Sequence, residues 1–200
     1  MTMKHAATFL LIPLVAGCAQ MFGQLDPGYR VTPAGDTVFV MGVEPANYKV
    51  VLWPGNVDQD LFVIEDMWKN AAHLDAPRNG YVVGNANPND HVGVKEVWLM
   101  SEDGKRVTMS HRYCQGRKTP VFATTAGKVV YLGDYRFAVK DGLITYEYTR
   151  NLEKARAFVD ANYPKLTGLL EDVEVREIFS TIPCLDPAQP MVIPVIIPSG

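Results

Sequence analysis

The chain has 200 residues, 48% of them hydrophobic and 20% charged, with a formal net charge of −3. That length suits one or two domains, and that balance belongs to an ordinary folded protein rather than a disordered or fibrous one. No basic patch stands out, which removes the electrostatic footprint of nucleic-acid binding, and no repeat of solenoid period is visible.

The first 17 residues read as a leader. Lys4 and His5 make a weakly basic start, and Phe9 to Ala16 form an apolar core of about eight residues. A membrane-spanning helix needs roughly 20 apolar residues, and here Pro13 interrupts the run. The sequence Val15-Ala16-Gly17-Cys18 closes it. This resembles the lipobox of bacterial lipoproteins. The resemblance implies a diacylglycerol on the Cys18 sulfur, cleavage before that residue and acylation of the new amino terminus. The partner would then be a membrane, reached through lipid chains, of which two or more anchor stably. The residue after the cysteine is Ala19 and not aspartate, which resembles outer-membrane sorting with the domain on the periplasmic face. An uncleaved anchor and a simple cleaved signal are the alternatives. Cleavage before Cys18 removes Lys4 and no acid, taking the net charge from −3 to −4.

Gly23, Pro27, Gly28, Pro33 and Gly35 mark residues 18–35 as a flexible lipidated tether. A β-rich domain is expected over 36–186. Thr37 to Met41 predicts its first strand. Tyr48 to Trp53 predicts a second, stopped at Pro54-Gly55, and Leu61 to Ile64 a short strand buried on both faces. Residues 66–74 could make a short helix, with Trp68, Ala71 and Ala72 on one side and Pro77 and Gly80 ending it. Tyr81 to Val83 is another short strand.

Two hairpins follow. Val94 to Met100 turns at Glu102-Asp103-Gly104 into Arg106 to Cys114. Tyr135 to Lys140 turns at Asp141-Gly142 into Leu143 to Thr149, and Asp-Gly between alternating strands favours a type I′ turn. Pro120 to Thr125 and Lys128 to Leu132 add strands around Gly127. Asn151 caps a helix from Leu152 to Asn162, with Leu152, Ala155, Phe158 and Val159 as its apolar stripe and Pro164 at its end. Val173 to Phe179 is a last strand, and residues 187–200 form a Pro-rich tail whose stretch 191–197 is apolar enough to pack on something. The expected fold is mainly β, an antiparallel β-sandwich or α+β with one late helix. The stretch Ala126 to Gly133 is similar to one seen in uncharacterised Gram-negative envelope lipoproteins, a resemblance that implies a β-rich domain followed by a helix and names no activity.

With Cys18 taken by lipid, Cys114 and Cys184 remain as an even pair in an oxidising space, and a disulfide is expected, two buried free thiols being the alternative. It would tie the end of the domain to a central strand.

No catalytic constellation assembles in the sequence. His73, His91 and His111 lie in separate segments without ligand spacing, so no metal or cofactor is expected. His111 is expected to be a partly buried, hydrogen-bonded histidine. Asn85, Asn87, Asn89 and Asp90 read as turn formers around Pro88 and not as a calcium loop. Asp58, Asp60, Glu65 and Asp66 read as solvated loop acids. Ser110-His111 lacks a nucleophile elbow. Trp53, Trp68, Trp98 and the tyrosines are expected in the core rather than on a sugar-stacking surface. In the late helix the arginine stands five residues after the asparagine, where the peptidoglycan-binding helix of outer-membrane anchoring proteins has seven. The expectation is therefore a lipid-anchored envelope lipoprotein with a binding or structural role. An accessory subunit of an envelope secretion or pilus machine, with an envelope protein as partner, and an envelope glycan hydrolase stand as alternatives.

Overall fold

The run Thr37-Val38-Phe39-Val40-Met41 becomes a strand with an interior on either side of it. In the computed structural model, which describes residues 23–64 and 71–184, this strand is β1 (Thr37–Glu44), and its residues from Thr37 to Val43 are all buried. Side chains alternate across a strand. Phe39, Met41 and Val43 therefore enter one apolar core, and Val38 and Val40 enter another. The leader with Cys18, the segment 65–70 with Glu65, Asp66 and Trp68, and the tail 187–200 lie outside the described residues.

The chain continues through β2 (Tyr48–Asp58), β3 (Leu61–Ile64), β4 (His73–Asp75), β5 (Tyr81–Ala86), β6 (His91–Met100), β7 (Val107–Arg112), β8 (Lys118–Ala123), β9 (Val129–Lys140) and β10 (Leu143–Thr149). Helix α1 (Leu152–Asn162), β11 (Leu170–Asp172) and β12 (Arg176–Ser180) complete it. The fold is mainly β with one late helix. Its strands form a five-stranded sheet, β10-β9-β1-β5 with β11 also on β9, and a seven-stranded sheet, β4-β2-β3-β12-β8-β6-β7 with an added β2–β6 pairing. The sheets share a core that includes Phe39, Met41, Val50, Leu52, Val94, Phe122, Leu132 and Phe137. Helix α1 covers the other face of the five-stranded sheet through Ala155 and Val159, against Val38, Val40, Tyr81, Val129 and Tyr131.

Pairing is mixed rather than wholly antiparallel. Strand β1 runs parallel to β9, β11 parallel to β9, and β12 parallel to β3. Within the larger sheet the pairings β2–β3, β3–β12, β12–β8, β8–β6 and β6–β2 close a ring. Phe62, without exposed surface, fills that ring together with Val121 and Ile178. Two glycines make room for it. A Cβ on Gly93 would stand 2.6 Å from the Phe62 ring, and one on Gly55 would stand 3.0 Å from it and 2.3 Å from the Val63 carbonyl oxygen.

Several expectations change. Strand β2 does not stop at Pro54-Gly55. Its far edge pairs with β4 at Val50–Leu52 and with β3 at Gly55–Asp58, so Pro54 stands between those two partners, where a missing N–H breaks neither ladder. Strand β3 is not buried on both faces, because Leu61 and Val63 point outward at 42% and 39% exposure. His73 and Leu74 are strand and not helix, held by pairing to Leu52 and Val51. The stretches Lys128 to Leu132 and Tyr135 to Lys140 are one strand, β9, bent at Gly133.

The described part of the expected tether, residues 23–35, is docked along the domain. The Gln24 amide donates to the carbonyls of Ala76 and Tyr81, and its oxygen accepts from the Val83 N–H at 2.7 Å. The Leu25 N–H donates to the Val83 carbonyl at 2.9 Å. Leu25, Tyr29 and Val31 pack on the helix-side core, and the Gly127 N–H donates to the Gly35 carbonyl. This segment thus covers the β5 edge that would otherwise expose its backbone.

Candidate functional site

One polar cleft of about 330 Å³ opens on the helix side of the five-stranded sheet, beside the first turn of α1. Its walls come from β1 (Gly42, Val43, Glu44), β9 (Asp134, Tyr135, Arg136), β10 (Glu147, Thr149), the helix cap (Asn151, Lys154) and Gly80. The sheet register orders the charges. Arg136 lies opposite Glu44 on one side and Glu147 on the other, and Asp134 lies between Gly42 and Thr149.

A local irregularity builds this arrangement. Gly133 adopts φ +98, and the β1–β9 register slips between Val40–Tyr131 and Gly42–Asp134. A bulge adds one residue to a strand and re-aims its side chains. Tyr131 and Asp134, which a regular pleat would send to opposite faces, therefore share the helix-side face. The Tyr131 hydroxyl donates to Asp134 at 2.6 Å and accepts from the Asn151 N–H at 2.9 Å. Gly42 completes the fit, since a Cβ there would stand 1.9 Å from an Asp134 carboxylate oxygen. Helix α1 begins at this point because the Asn151 side chain accepts from the Lys154 N–H at 3.0 Å.

The electrostatics balance internally. Glu44 accepts from Lys154 at 3.3 Å and pairs with Arg136 at 3.5 Å. Lys154 first, and Arg136 with it, holds the Glu44 carboxyl below its ordinary range. These partners are largely exposed, so the pairs contribute little to stability. Behind the cleft, burial first and then the charges of Asp134 and Glu44 push the Tyr81 hydroxyl up to about 12. That hydroxyl is buried without a hydrogen-bond partner. The cleft thus offers alternating acceptors and donors to a small polar molecule. It offers no metal site: among the described residues no group of His, Cys, Asp and Glu could hold an ion.

The cleft draws its walls from segments far apart in the chain, so no short stretch of sequence encodes it. A Gly-Asp pair interrupting an apolar strand at Gly133-Asp134 is the one local signal of it, since such a pair marks a bulge. Apart from the cap Asn151, which lines the cleft, the candidate residues named from the sequence lie elsewhere and do not converge. His73 is buried edge-on to Phe39, His91 is half-buried at the start of β6, and His111 is half-buried, edge-on to Tyr113 at 4.9 Å. Burial, then Arg117, lowers the His111 pKa. Asn85 donates to Asp36, and the Asp90 and Asn89 N–H groups donate to Thr124, so that loop is a pinned turn. Asp60 occupies a left-handed turn position and pairs with Arg176, and Asp58 is exposed. Ser110 is exposed beside His111.

Neither described tryptophan is in the core. Trp53 and Trp98 are half-buried, and the Lys95 ammonium sits 3.9 Å from the Trp53 ring centroid. The buried aromatics are instead tyrosines and phenylalanines, among them Phe39, Phe62, Tyr131 and Phe137.

Cys114 and Cys184 are joined by a disulfide. Cys114 follows β7, the edge strand of its sheet, so the bond ties the C-terminal residues to an edge rather than to a central strand. Backbone bonds from Gln115 to Ile182 and from Ser180 to Arg117 run alongside it. Among the described residues no helix is long and apolar enough to cross a membrane. Comparison with protein-family models, with curated proteins and with solved structures finds no match for this chain.

Proposed function

We propose that this chain is a lipid-anchored envelope protein, attached through Cys18 to the periplasmic face of the outer membrane, that binds or braces rather than catalyses. The observation that carries the reading is how the cysteines divide. The Cys114–Cys184 bond accounts for two of the three cysteines and fits an oxidising compartment. The third, Cys18, ends the Val15-Ala16-Gly17-Cys18 motif behind an apolar leader. The cleft is the place for a small polar ligand.

The hydrolase alternative is weaker. Glycan hydrolysis by paired carboxylates needs one acid kept protonated by a raised pKa. Glu44, one of the three carboxylates that line the cleft, is pushed the other way by Lys154 and Arg136.

Labelling cells with radioactive palmitate tests the anchor. The wild-type chain should carry label and sediment with outer membranes, and Cys18→Ala should be unlabelled. An unlabelled wild-type chain, or one whose intact mass shows the leader still attached, refutes the proposal.

A further inference from the structure

The docked amino-terminal segment changes what a lipid on Cys18 would do. Residues 18–35 as a free tether could reach about 60 Å when extended. The fold instead fixes the chain at Gln24, which is 3% exposed and bonded through its side chain to Ala76, Tyr81 and Val83. Only six residue steps separate Cys18 from Gln24. Fully extended they span at most about 20 Å. A domain of this size has a radius of gyration of roughly 15 Å, so that arm is shorter than the domain is wide.

We propose that the anchored domain lies against the bilayer through the face that carries Gly23, Gln24 and β4, with the lipid headgroup surface as its partner. The proposal rests on lipidation of Cys18 and adds an orientation to it. Gly23 places this face, because a Cβ there would stand 3.6 Å from the Asp75 carboxylate. Leu74, the β4 residue beside it, is 36% exposed. The sheet order β10-β9-β1-β5 then puts β10 on the far edge, three strand spacings or about 14 Å beyond β5. The cleft runs from Gly80 and β1, next to the Tyr81 that Gln24 bonds, out to β9 and β10, so its β10 end is the part farthest from the arm.

The full-length lipidated protein, purified from membranes, tests this in vesicles of phosphatidylethanolamine and phosphatidylglycerol carrying a headgroup nitroxide quencher. A fluorophore is placed on Leu74→Cys in one sample and on Thr145→Cys in another. Flotation is measured first, with Cys18→Ala as the control. The wild-type chain should float, the label at position 74 should lose most of its emission, and the label at 145 should keep it. A Gly/Ser insert of about 20 residues before Gly23, which relaxes the arm into a random coil, should bring position 74 up to the emission of position 145. Equal quenching at both sites in a floating protein overturns the orientation while leaving lipidation intact. Unchanged quenching after the insert overturns the role of the short arm. A wild-type chain that does not float overturns lipidation, and the orientation with it.

Discussion

His73 gives the domain a built-in sensitivity to acid. It has no exposed surface, neither ring nitrogen meets the geometry of a hydrogen bond, and Phe39 packs edge-on against it. Burial lowers its pKa to about 4, and Asp75 and the backbone of Gly23, which lie close by, only partly oppose that. Unfolded, the same imidazole titrates near 6.5. Between those values the unfolded chain binds the proton and the folded chain does not. Stability therefore falls as pH drops below about 6.5 and levels off near 4. The gap of roughly 2.5 pKa units corresponds to about 3 kcal/mol, a large part of the stability of a single domain.

The perturbation is His73→Phe, which keeps a ring of similar size and removes the titration. The assay is urea unfolding of both chains, disulfide intact, at pH 7.5, 6, 5 and 4. Carboxylates and His111 titrate in both chains, so their contributions cancel in the difference. Relative to wild type, the variant should gain about 3 kcal/mol between pH 7.5 and 4. Its absolute stability at pH 7.5 matters less, since replacing an unpaired buried polar group with an apolar one is often nearly neutral. Two stability curves that run parallel over this range, diverging by less than about 1 kcal/mol, would refute the argument.

Removing the Cys114–Cys184 bond by C114A/C184A releases a 70-residue separation and should cost about 4 kcal/mol in the chain-entropy account, read as a lower urea midpoint. Gly93→Ala pushes a Cβ into the Phe62 ring and should cost about 1–3 kcal/mol, with Phe62→Leu in the same chain recovering part of it; strict additivity of the two would count against the contact. Asn151→Ala removes the cap on Lys154 N–H and should cost about 1 kcal/mol in thermal or urea unfolding. Lys154→Met should let the Glu44 carboxyl titrate at a higher pH in a carbon-detected NMR titration, since Lys154 is the main cause of its depression.

Local chemistry made some elements readable and non-local pairing hid others. Asp141 and Gly142 adopt φ values of 52° and 75°, as their sequence foretells for a tight hairpin, and Asn151 caps α1 as expected. These features are decided within a few residues. The parallel β1–β9 pairing joins Val38 to Val129, and no short window carries that information. Strand β11 has three residues, too few to show alternation in the sequence. Composition misled at residues 23–35: Pro and Gly signal turns, but one glutamine with a matching pair of backbone groups docks the segment. The cleft was hidden for the same reason. Glu44, Asp134 and Lys154 belong to β1, β9 and α1, and only the Gly133 bulge brings Tyr131 to Asp134.

The ring of strands places a demand on the order of folding. Strands β2, β3, β6 and β8 can pair once residue 123 is available, yet the ring stays open until β12 enters between β3 and β8. Until then Phe62 lacks Ile178 as a neighbour, and the β3 and β8 edges lack partners. Loop closure over such distances is slow, and open edges invite wrong pairing. The Cys114–Cys184 bond lies just past that last strand. Once formed, it holds the C-terminal segment next to the chain that leads into β8, and so keeps the ring closed. The strand that completes the ring is thus the last of the described strands in the chain, and the bond fastens the residues that follow it.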